Sequence, residues 1–331
     1  MSKELQHYLD DIARVHEQLG QDSLVEQRQA ALNVFKEAGF PNTRQENWKY
    51  TDVRSIAKKP FSAVIESKAE VSADEINAIR FQELDCIELV FINGVYSAEH
   101  SRLDAIPAKV TVENLADALA KDAELLTKHL AKYADDKVSA FTALNTAFIQ
   151  HGTYIHVPSG VAIEKPVNLL YLSTQNEQPH AAHPRNLIVI GEAAEATVIE
   201  SYIGLGDGDY FTNAVTEIAL AENANLKHYK IQQESLNACH IGNLKVKQER
   251  NSQFESHSIA LGGSLVRNDL HSELAAEGAG IVMNGLYMTS GKQHVENQRG
   301  VDQLKKKTTR IENHRGVVNE TNRAGLQGKV S

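Results

Sequence analysis

The chain has 331 residues, a formal net charge of −9, 42% hydrophobic and 23% charged residues, a balance too apolar for a disordered chain and long enough for two domains at roughly 100–200 residues each. No run of about 18 apolar residues occurs, and residues 1–10 lack a basic-then-apolar leader, so a cytoplasmic protein with no membrane segment is expected. Two distant cysteines, Cys86 and Cys239, exclude a disulfide framework and a pure cysteine metal site.

In chain order, Leu5, Leu9, Ile12 and Leu19 recur at helical spacing up to Gly20, and Leu24, Ala31, Leu32, Phe35 and Ala38 form a second stripe. Ser23 with Glu26 predicts a capping box, and Gly39 followed by Pro41 a helix stop. Further helices are expected over Asn114 to Tyr133 and Val138 to Gln150. A short strand from Ile87 to Ile92 turns at Asn93-Gly94. Residues 1–150 therefore read as a mostly helical N-terminal domain.

After His151 short runs rich in Val, Ile, Leu and Tyr alternate with turn residues for about 140 positions. The turns Glu192-Ala193-Ala194, Glu222-Asn223-Ala224, Glu249-Arg250-Asn251 and Glu277-Gly278-Ala279 recur at spacings of 30, 27 and 28 residues. A quasi-repeat of that length, built from strands and turns, predicts a β-solenoid, in which each coil buries its apolar face on its neighbours. Short strands at regular spacing also fit an antiparallel sandwich. Residues 151–298 form this β core. From Arg299 to Ser331 eight basic residues face three acidic ones; this stretch reads as a solvated or poorly ordered basic tail. It lacks interleaved aromatics, so no nucleic-acid binding is expected.

No phosphate-loop, GxSxG, HExxH or EF-hand pattern is present. The run Gly204 to Asp209 carries two acids where a phosphate cradle needs amides and a lysine, and Val157-Pro158-Ser159-Gly160 reads as a turn. Ten of the 14 histidines lie between His151 and His314, among them His228, His240, His257, His271 and His294, and imidazoles on stacked strands could converge on a metal. Each histidine taken alone reads as a partner for turns or for the solenoid face. Cys239 and His240 are adjacent on a strand and point to opposite faces, so they cannot easily share an ion; both cysteines read as buried thiols. Asp207, Asp209 and Asp269 are the acids to weigh as a glycosidase pair, and Asp207 and Asp209 share a flexible acidic turn. Trp48, beside Tyr50, reads as an anchor of the helical part on the next domain.

Read as phrases, Asn47-Trp48-Lys49-Tyr50-Thr51, Phe91 to Tyr96, Phe141 to Phe148, His156 to Val161, His183 to Leu187, Ser256 to Gly263, Arg267 to Leu270, Asn284 to Tyr287 and Gly291 to Val295 resemble, in order and spacing, the SufB/SufD family of iron–sulfur cluster assembly proteins, on its SufD side. The resemblance covers about residues 44–298. It implies a mainly β protein, with an α-helical N-terminal part and a right-handed parallel β-helix core, that catalyses nothing itself. It also implies a scaffold role in the SUF system, beside a SufB-like paralogue and a SufC-like ATPase, with iron or a transient iron–sulfur cluster as cargo of the assembled complex. No catalytic, cofactor or metal residue is carried over from it. The family pattern continues into more coils and a helical ATPase-docking module, so residues 299–331 are expected to be an altered or truncated tail, the last coil uncapped near Gln298, and ATPase docking weakened. A β-helix carbohydrate-active enzyme and a stand-alone structural solenoid are the alternatives.

Overall fold

The computed structural model describes residues 3–121, 124–176, 178–289, 291, 293–305, 307–318 and 323–330. It is mainly β, with 43% strand and 21% helix, and its core is a β-solenoid of about six turns.

The chain opens with α1 (Lys3–Leu19) and α2 (Val25–Ala38), followed by α3 (Arg54–Lys58), β1 (Ser62–Ala63) and α4 (Ala73–Ile79). The helical stripe of α1 buries Tyr8, Leu9, Ile12 and Val15. Gly39, at a φ of 65°, ends α2 and donates its N–H to the Phe35 carbonyl at 2.8 Å. The capping box expected at Ser23 does not form: Asp22 instead accepts the Leu24 N–H, and the N-cap of α2 has no side-chain bond. The box appears at Ser72 and Glu75 of α4, where both reciprocal bonds are made.

Next come β2 (Ile87–Ile92), β3 (Val95–Arg102), β4 (Thr111–Asn114), α5 (Leu115–Ala120), α6 (Glu124–His129) and α7 (Ala140–Ala147). The turn between β2 and β3 has both Asn93 (φ 53°) and Gly94 (φ 86°) in the left-handed region, as an Asn-Gly hairpin requires.

The solenoid strands are β5 (Thr153–Val157), β6 (Val167–Thr174), β7 (His180–Ala182), β8 (Arg185–Ile190), β9 (Glu195–Leu205), β10 (Tyr210–Leu220), β11 (Asn225–Gln233), β12 (Cys239–Gln248), β13 (Gln253–Ala260), β14 (Leu265–Leu274), β15 (Gly280–Thr289), β16 (His294–Gln303), β17 (Thr309–Val318) and β18 (Arg323–Val330). They form two stacked sheets. One runs β18-β16-β14-β12-β10-β8-β5-β4, the other β17-β15-β13-β11-β9-β6-β2-β3. All neighbours in these two paths are parallel except β3 on β2 and β4 on β5. Strand β2, drawn from before residue 151, supplies a rung beside β6.

The recurring turns have a common geometry. Ala193, Asn223, Asn251, Gly278 and Lys307 all have φ between 53° and 76°. The N–H groups of Ala193, Asn223, Asn251 and Gly278 each bond a carbonyl of the next turn in the stack, so identical turns pile up and hold the register. Inside, Phe91, Tyr171 and Tyr202 stack ring on ring at 4.6 and 5.0 Å. Ala196, Val198, Leu226, Phe254, Ile281 and Met283 continue the dry interior beside them; each large side chain buried this way contributes about 1.5–3 kcal/mol.

Residues 299–331 differ from the expected tail. Their described part completes β16 and forms β17 and β18, paired parallel with β15 and β16, so the solenoid continues past Gln298. Residues 306, 319–322 and 331 lie outside the described residues. The reason for the difference is alternation: along β17 the charged Arg310, Glu312 and His314 fall on the inward phase, in register with Ile281, Met283 and Gly285, so hydropathy hides the strand.

Candidate functional site

Strand alternation also puts charge inside the middle rungs. Glu200 of β9 and Lys230 of β11 are register partners on the inward face, and His228 follows the same phase two residues earlier. The Glu200 carboxylate accepts hydrogen bonds from Thr216 (2.7 Å) and Tyr202 (2.6 Å), and Nε2 of His228 lies 2.9 Å from it. Burial alone would raise its pKa, but the hydrogen bond and charge of His228, with help from Lys230 and Tyr202, outweigh that and hold it at about 2.

Lys230 donates to Asn268 Oδ1 at 2.6 Å and to Nε2 of His240 at 2.8 Å. That bond leaves the His240 proton on Nδ1, which faces Glu234 at 2.8 Å. Glu234 is also held by Thr212 and Gln232, each at 2.9 Å. Burial lowers the Lys230 pKa to about 8, against the opposing pull of Glu200 and Glu234, and burial with the Lys230 charge keeps His240 low. Around Lys230 the seam thus sets two carboxylates, Glu200 and Glu234, against one ammonium and the neutral His240 imidazole at pH 7, with His228 beside Glu200. Beside it lies a cavity of about 30 Å³, bordered by Lys230, Ser256, Ser258, Asn268 and Arg299, room for one or two water-sized groups.

A second buried set joins the helical part to the solenoid. Arg185 meets Glu217 at 3.0 Å and donates to Asn145 and Thr146 of α7 at 3.0 Å. Glu217 also accepts the backbone N–H groups of Ala131, Tyr133 and Ala134 at 2.7–2.9 Å. Asn145 donates to the carbonyls of Pro184 and Asn213. Further along, the Arg267 guanidinium lies 3.8 Å from the Trp48 ring centroid, Trp48 packs on Phe141, and Thr51 bonds Glu296. Trp48 is the expected anchor. The motif phrases around Trp48, Phe141, His183 and Arg267 are separated in sequence but meet at this one interface.

Among the described residues the histidines do not converge; each has its own partner, as the reading of each one alone expects. His228 pairs with Glu200, His257 with Glu255 at 2.8 Å, His271 with Asp302 at 3.0 Å, and His294 lies 3.9 Å from Glu296. Among the described residues, no three or more of His, Cys, Asp and Glu gather where they could hold a metal ion. Cys239 is buried on the outer face, 3.9 Å from Ser55 and 3.8 Å from Ser264, while His240 points inward, as strand alternation requires. Cys86 is half-buried. Asp209 pairs with Lys59 at 2.5 Å and Asp269 with Arg267 at 2.9 Å, so the three acids do not form a carboxylate pair. The sequence reading missed Glu200, Lys230, Glu234, Arg185 and Glu217. Their signal was available: a charged residue at an inward phase of an otherwise apolar strand.

Two stacked parallel sheets, a polar seam between them and an N-terminal helical cover define a β-solenoid protein. Residues 2–169 match the SufBD protein N-terminal region, and residues 171–331 match the SUF system FeS cluster assembly SufBD core domain. The chain belongs to the SufB/SufD family. It is 27% identical over 315 residues to an iron–sulfur cluster assembly SufBD family protein of Synechocystis, covering 93% of this chain and 69% of the relative. It is also 27% identical over 310 residues to the iron–sulfur cluster assembly protein SufD of Escherichia coli, covering 92% and 69%. A match to SufB of Bacillus subtilis, 24% identical over 214 residues, covers 62% and 45%. No helix among the described residues is long and apolar enough to cross a membrane.

Proposed function

We propose that this chain is a non-catalytic scaffold subunit of SUF iron–sulfur cluster assembly. It pairs with a SufB-like solenoid in the cytoplasm and works in a complex driven by a SufC-like ATPase. The family places it in the SUF system; the observation that carries the pairing is the outer face of the late rungs. There Leu286 and Met288 of β15 and Ile311 and Val317 of β17 are 37–54% exposed, and Met288 and Val317 are register partners. An apolar strip on a sheet face is the kind of surface that marks a protein–protein contact, and a parallel sheet normally has both faces covered. The acids weighed for glycoside cleavage are tied up in ion pairs or on a surface turn, which disfavours the carbohydrate-enzyme alternative. The nascent cluster is cargo of the assembled complex.

The test is co-expression of this chain with the SufB-like and SufC-like proteins of its own host and tandem purification. Met288→Glu with Val317→Glu is expected to cut SufB-like recovery at least tenfold while leaving the circular dichroism spectrum unchanged. Undiminished recovery would sink the proposed pairing face, and absence of both partners from the wild-type preparation would leave only the stand-alone solenoid.

A further inference from the structure

Most buried or nearly buried arginines of this chain have a close carboxylate. Arg28 meets Asp22 at 2.5 Å, Arg80 meets Glu88 at 2.6 Å, Arg185 meets Glu217 at 3.0 Å and Arg267 meets Asp269 at 2.9 Å. Arg299 is the exception in this set. Its side chain is 3% exposed, it falls on the inward phase of β16 in register with Leu270, and its Nε and Nη1 have no hydrogen-bond partner. The carboxylate facing it, Glu312, lies 4.0 Å away and is bonded by Arg310. Two guanidiniums therefore share one carboxylate. His314 adds two buried ring nitrogens without hydrogen bonds, Nδ1 lying 3.7 Å from Glu312.

A buried guanidinium left unpaired is among the costliest arrangements in a protein interior. Water can accept its N–H groups but cannot neutralise its charge. Arg299 borders the 30 Å³ cavity, together with Ser256, Ser258, Asn268 and Lys230. Both carboxylates on that wall are already engaged, Glu200 by Thr216, Tyr202 and His228 and Asp269 by Arg267. Space near the guanidinium depends on Gly285, where a Cβ would lie 3.2 Å from Nη2 of Arg299 and clash with His314.

We propose that the solenoid interior holds a small monovalent anion of halide size, bound by Arg299 and by the hydroxyl and amide donors of Ser256, Ser258 and Asn268. The small space suits an ion of halide size, and Arg299 shares its nearest carboxylate, Glu312, with Arg310, so a monoanion beside it offsets that local shortfall. This site is independent of the partner-binding reading.

The test is crystallography of the whole chain in sodium bromide, with data collected at the bromine absorption edge. An anomalous peak within about 3.5 Å of the Arg299 guanidinium, absent from the Arg299→Met protein, is expected. In solution, bromide should raise Tm saturably relative to gluconate at equal ionic strength, by linkage to the folded state, and the variant should lose that rise. Ordered water alone at the site, or a peak that survives Arg299→Met, overturns the proposal. Should Arg299→Met fail to fold, the wild-type crystal decides by itself.

Discussion

Arg185 and Glu217 meet at 3.0 Å with neither side chain reaching solvent, and between them they tie α7, the 131–134 segment and two solenoid rungs together. Removing one partner leaves the other charge buried and uncompensated, which costs about 3–5 kcal/mol. Glu217→Ala is therefore expected to lower unfolding stability in urea by about that amount, with further loss because three backbone N–H groups lose their acceptor. Arg185→Met with Glu217→Leu should recover a large part of it. A Glu217→Ala protein within about 1 kcal/mol of wild type would show that water enters the pair.

Trp48 gives the second prediction, because one ring meets α7 through Phe141 at 5.4 Å and β14 through Arg267 at 3.8 Å. Trp48→Ala should cost about 3–5 kcal/mol, from the cavity and the lost cation–π contact. It should also speed amide exchange and proteolysis in residues 3–60 more than in the β9–β14 rungs. Trp48→Phe keeps a ring over Phe141 and should retain about half the stability. Uniform loss of protection across both parts would mean that the two unfold as one unit.

Much of the architecture was readable wherever one kind of residue dominates a face. The α1 stripe, the Asn93-Gly94 turn and the recurring turns at Ala193, Asn223, Asn251 and Gly278 are local signals, and each has the backbone it calls for. The site was hidden for the opposite reason. Glu200 sits between Ile199 and Ser201 in a run that reads as a hydrophobic strand, and nothing in its neighbours shows that Lys230, His228 and Thr216 will close around it from other rungs. The same alternation made Arg310 to His314 look like a solvated tail. Long-range parallel pairing places these charges, and pairing partners some 28 residues apart leave only a weak period in the sequence.

Gly152 tests the junction between the helical part and β5. Its φ is +144°, and a Cβ there would lie 1.9 Å from the Arg185 carbonyl oxygen. That contact is backbone, so no rotamer change relieves it, and the conformation itself is unfavourable for an L-residue. Gly152→Ala should force β5 away from β8 and yield insoluble protein, or a protein destabilised by more than about 3 kcal/mol. The control is Gly160→Ala, which has no atom within 4 Å of the added Cβ at a φ of +73° and should cost only about 1–2 kcal/mol of backbone strain. Equal effects from the two would show that strain rather than the close approach matters at Gly152.

Acid lability is the last expected outcome. His183 is buried, stacked on Phe148 at 4.3 Å and in reach of Asn213, and burial lowers its pKa from 6.5 to about 3. The unfolded chain therefore binds a proton that the folded one refuses, and stability falls as pH drops from 6.5 towards 3, at up to about 1.4 kcal/mol per pH unit. His180, lowered by burial to about 4, acts in the same direction over a narrower window. Glu200, held near 2 against an ordinary 4.5, contributes stability that is complete above 4.5 and is lost only as pH falls from there towards 2. Between pH 6.5 and 4.5 Glu200 thus adds no slope, and the effect of His183 and His180 is read without it. His183→Phe keeps the ring stack, and Asn213 keeps its bond to the Phe141 carbonyl at 2.9 Å. The variant should remove about one proton's worth of slope from the urea-unfolding free energy between pH 6.5 and 4.5. An unchanged slope there would show that His183 takes up its proton in the folded state.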